Sequence, residues 1–398
     1  MNKRKWIGLM LAGGKGTRLN LLTKTLVKPA VSFGGKYRII DFALSNCRNS
    51  GVETVGILTQ YRPYELHTHL SRCNDWKHYS HQFGGLTILP PYQRSDSNVE
   101  WYEGTSHAVF QNIEFIEQYN PDYVLILSAD QIYKMDYSLM LEQHIESKAD
   151  CTIAVVKVPW EDANRFGTIK IDQKSYKIID FEEKPINPIS NLASMGIYFF
   201  NWPVLKEFLL LAEQQEFTNR DFGKDIIPAM LESNLQLFAY YFDDYWRDVG
   251  TVYSYWEANL DLLKVDKNIF LQHPEWQIHT AENNEPPLFF DEQAKIQQSI
   301  ISDGCEIYGT IEHSVISHGV KIGRGARIKN SVILPKTIIE ENAWIENAVV
   351  GSHSRIKNGV IIVSTNPSEY LMVVGNNEIV DPVLQVNPLN SNVISVLS

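Results

Sequence analysis

The feature that most constrains the fold is a six-residue spacing of apolar residues in the last hundred positions. With one shift of frame, the residues at this spacing are Ile316, Ile322, Ile328, Leu334, Ile338, Trp344, Val350, Ile356 and Ile362. Glycines are interspersed, as in IGRGARI and GSHSRI. A period of six with β-branched residues is typical of a left-handed parallel β-helix, in which each six-residue strand forms one side of a triangular coil. We therefore predict such a domain over residues 296–398.

Residues 1–265 predict a different architecture. Apolar runs such as YVLILSAD (123–130) and CTIAVVKVP (151–159) are typical of buried parallel strands. Amphipathic segments such as 108–119 predict helices between such runs, which is the rhythm of a doubly wound α/β sheet. Residues 71–100 interrupt it, and a connection of this length favours a lid or binding loop. Further predictions are a strand over 54–60, helices over 40–51 and 252–264, strands and a hairpin over 166–200, strands in LQLFAYYF and YWRDVGT, and a linker over 266–295.

The composition argues against several classes of function. A formal net charge of -11 disfavours general binding of nucleic acid or of anionic membranes. No run approaches the roughly 18 apolar residues of a membrane span. The N-terminal MNKRKWIGLMLA runs into a glycine loop that cleavage of a signal peptide would damage, so we expect a cytoplasmic protein. The cysteines form no CxxC pair and are expected to be buried thiols, at Cys47, Cys73, Cys151 and Cys305.

Four histidines cluster at His67, His69, His78 and His81, which invites a zinc hypothesis. The neighbouring Cys73 is isolated and the segment around it is polar and irregular. A solvated loop is therefore the favoured interpretation.

The stretch IGLMLAGGKGTRLNLLTKTLVKP (7–29) joins an apolar run to a glycine-rich loop with cations. Its glycines allow a close backbone approach to a ligand. The glycines are Gly13, Gly14 and Gly16, and the cations are Lys15, Arg18 and Lys28. The stretch fits neither the Walker nor the Rossmann pattern. It favours an anion-binding loop for a phosphate chain, with a routine strand-to-helix turn as the alternative.

Charged residues follow several predicted strands, at the edge where ligands collect in a parallel sheet. Asp130 ends YVLILSAD and Asp248 lies in YWRDVGT, and two such acids facing phosphates suit Mg²⁺. The alternatives are a helix cap for Asp130 and an ion pair with Arg247 for Asp248. Lys184 in DFEEKP is a second anion-binding candidate or part of a solvated salt-bridge cluster. With the amides of WYEGTSHAV (101–109), these features suit phosphoryl or nucleotidyl transfer.

Several blocks of the sequence resemble one family. LAGGKGTRL followed by KPA is similar to the signature of the sugar-nucleotide pyrophosphorylases. Blocks that resemble the glucose-1-phosphate adenylyltransferases among them, also called bacterial ADP-glucose pyrophosphorylases, are FGGKYRIIDFALSNCRNSG, LTQY, WYEGT, DQIYKMDY, FEEKP, SMGIY, RDFGKD and YWRDVGT. The resemblance runs from about residue 6 to 365. It implies a Rossmann-like nucleotidyltransferase domain with a mixed, mostly parallel sheet, then a C-terminal left-handed parallel β-helix, assembled as a homotetramer.

The resemblance implies that ATP and α-D-glucose 1-phosphate react with Mg²⁺ to give ADP-glucose and pyrophosphate, for glycogen (α-glucan) biosynthesis. It assigns catalysis to Lys15, Arg18 and Asp130, and metal binding to Asp130 and Asp248. It assigns nucleotide binding to Leu11, Ala12, Gly13, Gly14, Thr17, Lys28, Gly104 and Thr105. It assigns glucose 1-phosphate binding to Glu183, Lys184, Ser194, Tyr198, Asp221, Phe222 and Trp246.

Two departures from the family pattern touch the site itself. Ala129 and Gln131 flank the catalytic acid where the family usually has glycine and histidine, which bears on rate and metal geometry. Ser106 and His107 follow Gly-Thr where the family usually has alanine and then Asp, Asn or Glu, which bears on contacts to the base.

A third departure concerns regulation. Strongly activated members carry a Lys-Arg pair shortly before KPA, where this chain has Thr25-Leu26. The loss of two cations removes charge-assisted contacts worth roughly 1.5–3 kcal/mol each. We therefore predict weak activation by fructose 1,6-bisphosphate.

A different hypothesis is a catalytically weak regulatory subunit that joins an active partner in a hetero-oligomer. Such subunits tend to lose the loop cations or the metal acids. This chain keeps Lys15, Arg18, Lys28, Asp130, Lys184 and Asp248, which favours an enzyme. A related enzyme for another base or sugar is disfavoured by the blocks FGGKYRIIDF and RDFGKD.

Overall fold

The computed structural model describes residues 5–14, 16–73, 76, 84–92, 101–214, 219–264 and 275–382, without the side chains of Thr17 and Asn20. The strands of the N-terminal part are β1 (Trp6–Leu11), β2 (Ser32–Phe33), β3 (Tyr37–Arg38), β4 (Thr54–Leu58), β5 (Gly85–Leu89), β6 (Tyr123–Ser128), β7 (Gln131–Tyr133), β8 (Cys151–Lys157), β9 (Gly167–Ile171), β10 (Ile178–Glu183), β11 (Leu192–Asn201), β12 (Leu237–Tyr241) and β13 (Trp246–Asp248). The helices are α1 (Ile39–Asn49), α2 (Tyr64–Arg72), α3 (Thr105–Gln111), α4 (Ile113–Tyr119), α5 (Tyr137–Glu146), α6 (Trp202–Gln214), α7 (Ile227–Glu232) and α8 (Val252–Asp261). Short 3₁₀ turns span Thr17–Thr23, Lys28–Ala30 and Trp160–Arg165, and a π-helical turn spans Phe222–Ile226.

A nine-stranded sheet forms the centre of the N-terminal part. Its strands are ordered β10-β9-β11-β6-β1-β4-β5, and β8 lies between β11 and β12. The strands β5, β4, β1 and β6 are parallel, whereas β11 is antiparallel to β6 and β8. The apolar runs that predicted β4, β6 and β8 are buried along almost their whole length, as strands covered on both faces must be. The predicted mixed sheet is confirmed.

The register of the central strands determines where a site can form. Leu11, at the end of β1, lies opposite both Leu58 of β4 and Ser128 of β6. The segments that follow these three residues therefore begin at one edge of the sheet. They are the glycine loop, the turn that carries Gln60 and the turn that carries Asp130.

Two predicted segments differ from the structure. The helix predicted over 108–119 is two helices, because Asn112 leaves helical geometry and its side-chain amide donates to the Ala108 carbonyl at 2.8 Å. The loop predicted over 71–100 contains β5, an edge strand parallel to β4. The strand is short and half-exposed, so its sequence lacks the long apolar run that identified the central strands.

The histidine segment also differs from its prediction. His67 and His69 lie on α2 rather than in a solvated loop, while His78 and His81 lie outside the described residues. His69 is buried, with its Nε2 at 2.6 Å from Oδ1 of Asp41. Within the described ranges, no group of three or more His, Cys, Asp or Glu side chains could hold a metal ion. The four cysteines are buried thiols, as predicted.

The C-terminal part is a coil of short parallel strands. These are β14 (Phe289–Phe290), β15 (Lys295–Gln297), β16 (Ile300–Ile301), β17 (Glu306–Ile307), β18 (Thr310–Glu312), β19 (Val315–Ile316), β20 (Lys321–Ile322), β21 (Arg327–Lys329), β22 (Val332–Ile333), β23 (Ile338–Ile339), β24 (Trp344–Glu346), β25 (Ala348–Val350), β26 (Arg355–Ile356), β27 (Ile361–Val363), β28 (Met372–Val374) and β29 (Ile379–Val380). They form three parallel sheets, β14-β17-β20-β23-β26-β29, β15-β18-β21-β24-β27 and β16-β19-β22-β25-β28. This is the predicted left-handed parallel β-helix, and its first strand, β14, lies within the segment predicted as linker.

The interior of the coil follows a slightly different frame from the predicted one. Ile322, Ile339 and Ile356 pair in register on one side and are buried. Ile338 is only half-buried and Trp344 is 44% exposed, so the predicted frame through these two residues is wrong by one position. The sequence does not distinguish the predicted frame from the observed one here, because adjacent residues such as Ile338 and Ile339 are both apolar.

The coil packs against the N-terminal part through the outer face of its third sheet. Val332 and Val349 belong to the same buried cluster as Tyr255 and Trp256 of α8. The indole of Trp256 donates to the carbonyl of Asn330 at 2.7 Å. The two parts therefore share a continuous apolar interface. In the part of the chain that the structure describes, no helix has the length and apolar character needed to cross a membrane.

Candidate active site

A cleft of about 730 Å³ lies at the edge of the sheet where β1, β4 and β6 end. Nine of the predicted site residues line it, namely Leu11, Gly13, Gly14, Arg18, Lys28, Gly104, Thr105, Asp130 and Asp221. Segments far apart in the sequence thus meet in one cavity. Lys15, predicted to be catalytic, and the side chain of Thr17, predicted to bind the nucleotide, lie outside what the structure describes.

The glycine loop forms one wall of the cleft. The amide of Ala12 donates to the carbonyl of Leu58 at 2.9 Å, which continues the β1–β4 pairing up to the loop. Gly16 has φ +62°, and a Cβ there would lie 2.9 Å from Cβ of Lys28. A side chain at position 16 is therefore unfavourable both for the backbone and for packing. At Gly14 no atom lies within 4 Å of a built Cβ, so its surface faces open space.

Lys28 joins the two predicted metal-binding acids. Its buried ammonium lies 2.8 Å from Oδ2 of Asp130 and 3.3 Å from Oδ1 of Asp248. Burial lowers the pKa of Lys28, but the two carboxylates outweigh burial and hold that pKa above its ordinary value. Burial raises the pKa of Asp130, but Lys28 outweighs it, and the hydroxyl of Ser128 and the charge of Arg18 act in the same direction, so this pKa lies below its usual range.

The backbone explains why these two acids meet. Asp248 pairs with Gln131 in the small antiparallel β7–β13 sheet, and Gln131 directly follows Asp130. The chain turns so tightly at Gly250 that a Cβ there would lie 2.7 Å from Oδ2 of Asp248. Main-chain pairing therefore brings the backbones of Asp130 and Asp248 together.

These two carboxylates fit a divalent cation. Their oxygens already converge on one cationic atom, the Nζ of Lys28. Mg²⁺ is usually bound through one or two carboxylates, with phosphate oxygens and water completing the coordination. The donor set at Asp130 and Asp248 is of this kind.

Arg165 is a site residue that the sequence analysis missed. Its guanidinium lies 3.5 Å from Oδ2 of Asp248 and 2.9 Å from Oδ1 of Asp162. Asp248 therefore lies between two cations, Lys28 and Arg165. No sequence signal connects Arg165 to an acid so far along the chain, because the contact forms only when the fold brings the 3₁₀ turn Trp160–Arg165 beside β13.

The residues predicted to bind the sugar phosphate form one connected cluster. The ring of Tyr198 stacks on that of Phe222, with centroids 5.9 Å apart, and its hydroxyl lies 3.4 Å from Oγ of Ser194. Burial raises the pKa of Tyr198, so the phenol is neutral near pH 7. The carboxylate of Glu183 lies 2.5 Å from Nζ of Lys184, whose side chain is more than half exposed.

Trp246 and Asp221 extend this cluster on two sides. The indole of Trp246 meets the ring of Phe166 edge-on at 5.4 Å, and the carbonyl of Phe166 accepts from the amide of Lys184 at 3.1 Å. Asp221 caps the π-helical turn by accepting from the amides of Gly223 and Lys224. The cluster thus reaches from β13 to the wall of the main cleft.

Thr105 connects the predicted nucleotide side with the predicted sugar side. Its hydroxyl donates to Oδ2 of Asp221 at 2.9 Å and accepts from the amide of Phe222 at 3.0 Å. Gly104 packs so closely that a Cβ would lie 2.0 Å from the carbonyl of Arg220. The hydroxyl of Thr105 is therefore used inside the protein rather than directed into the cleft.

The four residues that depart from the family pattern at the site itself are buried. His107 is buried, and its Nδ1 accepts from the amide of Glu103 at 3.1 Å. Ser106 and Ala129 are also buried. Gln131 uses both ends of its amide, donating to the carbonyl of Met195 at 2.8 Å and accepting from Nε1 of Trp246 at 3.0 Å.

Comparisons with known proteins agree with this fold. Residues 7–265 match the family model of the nucleotidyl transferases, and residues 288–369 match that of the GlmU-like C-terminal hexapeptide domain. Together these define a nucleotidyl transferase that carries a hexapeptide-repeat coil.

Curated relatives narrow the class. Proteins named glucose-1-phosphate adenylyltransferase from Bacillus thuringiensis (strain Al Hakam), Bacillus anthracis and Bacillus mycoides (strain KBAB4) are 52%, 52% and 51% identical to the chain. Each match spans 360 residues, which is 90% of this chain and 95% of the relative. The chain belongs to the glucose-1-phosphate adenylyltransferase family of nucleotidyl transferases.

Proposed function

We propose that the chain transfers the adenylyl group of ATP to α-D-glucose 1-phosphate, giving ADP-glucose and pyrophosphate. A phosphate oxygen of glucose 1-phosphate attacks the α-phosphorus of ATP, and the bond from that phosphorus to the bridging oxygen of pyrophosphate breaks. The observation that carries the proposal is the convergence of Asp130, Asp248 and Lys28 beside the glycine loop. In such a transfer, positioning and charge neutralisation supply most of the catalysis.

The nucleotide is proposed to bind along the glycine loop. The open surface at Gly14 leaves room for a phosphate against the backbone. Arg18 is exposed at the cleft, and its charge helps to lower the pKa of Asp130. Arg18 is therefore placed to neutralise the triphosphate, a role proposed also for Lys15. The remaining proposed nucleotide-binding residues are Leu11, Ala12, Gly13, Thr17, Lys28, Gly104 and Thr105.

Nucleotidyl transferases typically use a divalent metal, and we assign its site to Asp130 and Asp248. Mg²⁺ held there would supply neutralisation of the charge on the reacting phosphates. Lys28 holds the two carboxylates close together, because its ammonium lies within 3.3 Å of both, and it lowers the pKa of Asp130.

Glucose 1-phosphate is proposed to bind at the cluster around Tyr198. The exposed ammonium of Lys184 is available to the phosphate, and Glu183 holds it in place. Neutral hydroxyls on Ser194 and Tyr198 suit the sugar hydroxyls. The other proposed sugar-binding residues are Asp221, Phe222 and Trp246.

We also propose that the chain assembles as a homotetramer, in the cytoplasm, and provides ADP-glucose for α-glucan synthesis. The outer face of the second coil sheet supports an assembly, because Trp344 and Ile361 are neighbours in register there and are 44% and 67% exposed. Light scattering after size exclusion tests the tetramer. A monomer at micromolar concentration would contradict it.

The experiment that tests the proposed function is pyrophosphate release by the purified chain. The assay contains glucose 1-phosphate, Mg²⁺ and each nucleoside triphosphate in turn, with Asp130→Asn as the control. We expect release with ATP that the substitution abolishes. A folded wild-type chain that releases no more than the variant would support the regulatory-subunit hypothesis instead.

A further inference from the structure

The side chain of Gln131 joins two walls of the proposed sugar side. It is buried, donates its Nε2–H to the carbonyl of Met195 at 2.8 Å and accepts at Oε1 from Nε1–H of Trp246 at 3.0 Å. One amide therefore connects β11 to β13, two strands that do not pair with each other. Gln131 stands where the family usually has histidine, and the reaction described above gives it no part.

The strand β11 is irregular where Gln131 meets it. Its pairing with β8 shifts between Ser194 and Tyr198, so Met195 lies in the irregular stretch between these proposed sugar-binding residues. The following Gly196 has φ +68°, which only glycine adopts readily. A bulge without a regular ladder needs another hydrogen-bond partner for its carbonyl, and the amide of Gln131 supplies it.

The contact with Trp246 fixes the opposite wall. Trp246 is half-buried at the start of β13 and touches Phe166 on its other side. Trp246 also packs against the buried apolar cluster that includes Tyr133 and Met195. Apolar packing supplies no acceptor for the indole N–H, and a partly buried indole N–H without an acceptor is unfavourable. The hydrogen bond to Gln131 supplies that acceptor and fixes the orientation of the ring.

We propose that Gln131 is a positioning residue that shapes the glucose 1-phosphate side of the site by fixing Trp246 relative to the β11 bulge. The inference rests on the proposed function. It also gives a reason why glutamine can take the place of histidine here. A neutral imidazole, like an amide, offers both a donor and an acceptor, whereas an apolar side chain offers neither.

The first test replaces Gln131 by methionine, which has similar length and no strong hydrogen-bonding group. In Gln131→Met we expect the KM for glucose 1-phosphate to rise tenfold or more, while the KM for ATP stays within twofold. Gln131→His is expected to keep the KM for glucose 1-phosphate within threefold of wild type. Gln143→Met is the matched control, because Gln143 lies on α5, outside the cleft lining, and its side-chain amide donates to the carbonyl of Ala239 of β12. It is expected to leave both KM values unchanged.

A double-mutant cycle tests whether Gln131 acts through Trp246. Trp246→Phe removes the indole N–H and keeps an aromatic ring. If the inference is correct, Gln131→Met in the Trp246→Phe background raises the KM for glucose 1-phosphate by less than threefold, because the shared contact is already gone. Fully additive effects would overturn the inference, as would equal rises in both KM values in Gln131→Met.

Calorimetry separates this inference from the proposed function. Glucose 1-phosphate is titrated into full-length wild type, Gln131→Met and Gln143→Met without ATP. Weaker binding in Gln131→Met alone supports the inference even if wild type releases no pyrophosphate, an outcome that defeats the proposed function. If wild type is active and all three proteins bind glucose 1-phosphate with equal affinity, the inference is wrong and the proposed function stands. If Gln131→Met does not fold, the inference is tested with Gln131→His instead. A rise above threefold in the KM of that variant for glucose 1-phosphate overturns the proposal.

Discussion

Lys28 is the residue on which the electrostatics of the site depend most. It neutralises two carboxylates that the β7–β13 pairing would otherwise leave facing each other. In Lys28→Met we expect a loss of stability of roughly 3 kcal/mol at pH 7. This is the low end of the range for a broken buried ion pair, because one partner, Asp130, is one-third exposed.

The pH dependence of that loss follows from the two pKa shifts. The pKa of Asp130 is depressed, so its contribution to stability is present above the ordinary value of 3.8 and disappears as pH falls through the lower folded value. The pKa of Lys28 is raised, so its contribution is complete below 10.5 and is lost only above that value. The difference in Tm between wild type and Lys28→Met is therefore expected to be constant from about pH 6 to 9 and to shrink below about pH 4. Thermal unfolding across this range checks it, with Lys36→Met as the charge-matched control. A difference that grows in acid would contradict the assigned ion pair.

Two glycines of the loop are expected to respond differently to the same substitution. Gly16→Ala should destabilise the protein by about 1–2 kcal/mol, because φ is +62° and the new Cβ would lie 2.9 Å from Lys28. Gly14→Ala should leave stability unchanged, since no atom lies within 4 Å of the new Cβ, yet it should raise the KM for ATP tenfold if a phosphate occupies that space. Chemical denaturation and steady-state kinetics measure the two effects. An unchanged KM for ATP in Gly14→Ala would indicate that the triphosphate does not bind at this part of the loop.

At the scale of elements, α3 and the π-helical turn are expected to act as one unit through Thr105. Thr105→Val removes the hydroxyl that bonds both Asp221 and the amide of Phe222, so we expect a loss of about 1–2 kcal/mol and higher KM values for both substrates. Thr105→Ser keeps the hydroxyl and should stay within twofold of wild type. Kinetics with each substrate varied in turn will show this. A rise in the KM for ATP alone would instead indicate that the hydroxyl contacts the nucleotide.

The elements also show what a sequence can and cannot predict. The strands β6 and β8 were predictable because their apolar runs are continuous, as burial on both faces requires. The break at Asn112 and the edge strand β5 were missed, because each depends on side-chain bonding or on a neighbouring strand. The frame of the coil was predicted wrongly at Ile338 and Trp344, where an adjacent apolar residue fits the same period, whereas Val350, Ile356 and Ile362 are buried as predicted.

The site follows the same rule. Asp130 and the glycine loop were predictable because each follows an apolar strand, and parallel strands end at one edge. The roles of Arg165 and Gln131 were not, because they arise from contacts with Asp248, Met195 and Trp246 that are distant in the sequence.

At the scale of the whole molecule, the packing of the coil on the N-terminal part creates a second cleft of about 790 Å³. Thr25 and Leu26 line it on one side, and His318 and Lys336 of the coil line it on the other. The two positions where strongly activated relatives carry cations therefore form an uncharged part of this wall. We expect fructose 1,6-bisphosphate to activate wild type by less than tenfold, because each missing charge-assisted contact forgoes roughly 1.5–3 kcal/mol.

The double variant Thr25→Lys/Leu26→Arg tests the reason for this weak response. Restored cations should raise activation by fructose 1,6-bisphosphate at least fivefold over wild type, measured as the ratio of pyrophosphate release with and without the effector. The pair Gln293→Arg/Gln297→Lys adds the same charges at exposed positions of the coil and should change nothing. Equal gains in both variants would indicate a general charge effect, and activation of wild type above tenfold would contradict the prediction outright. A gain confined to the first variant would mean that the response depends on two residues of a wall that exists only because the coil packs against the N-terminal part.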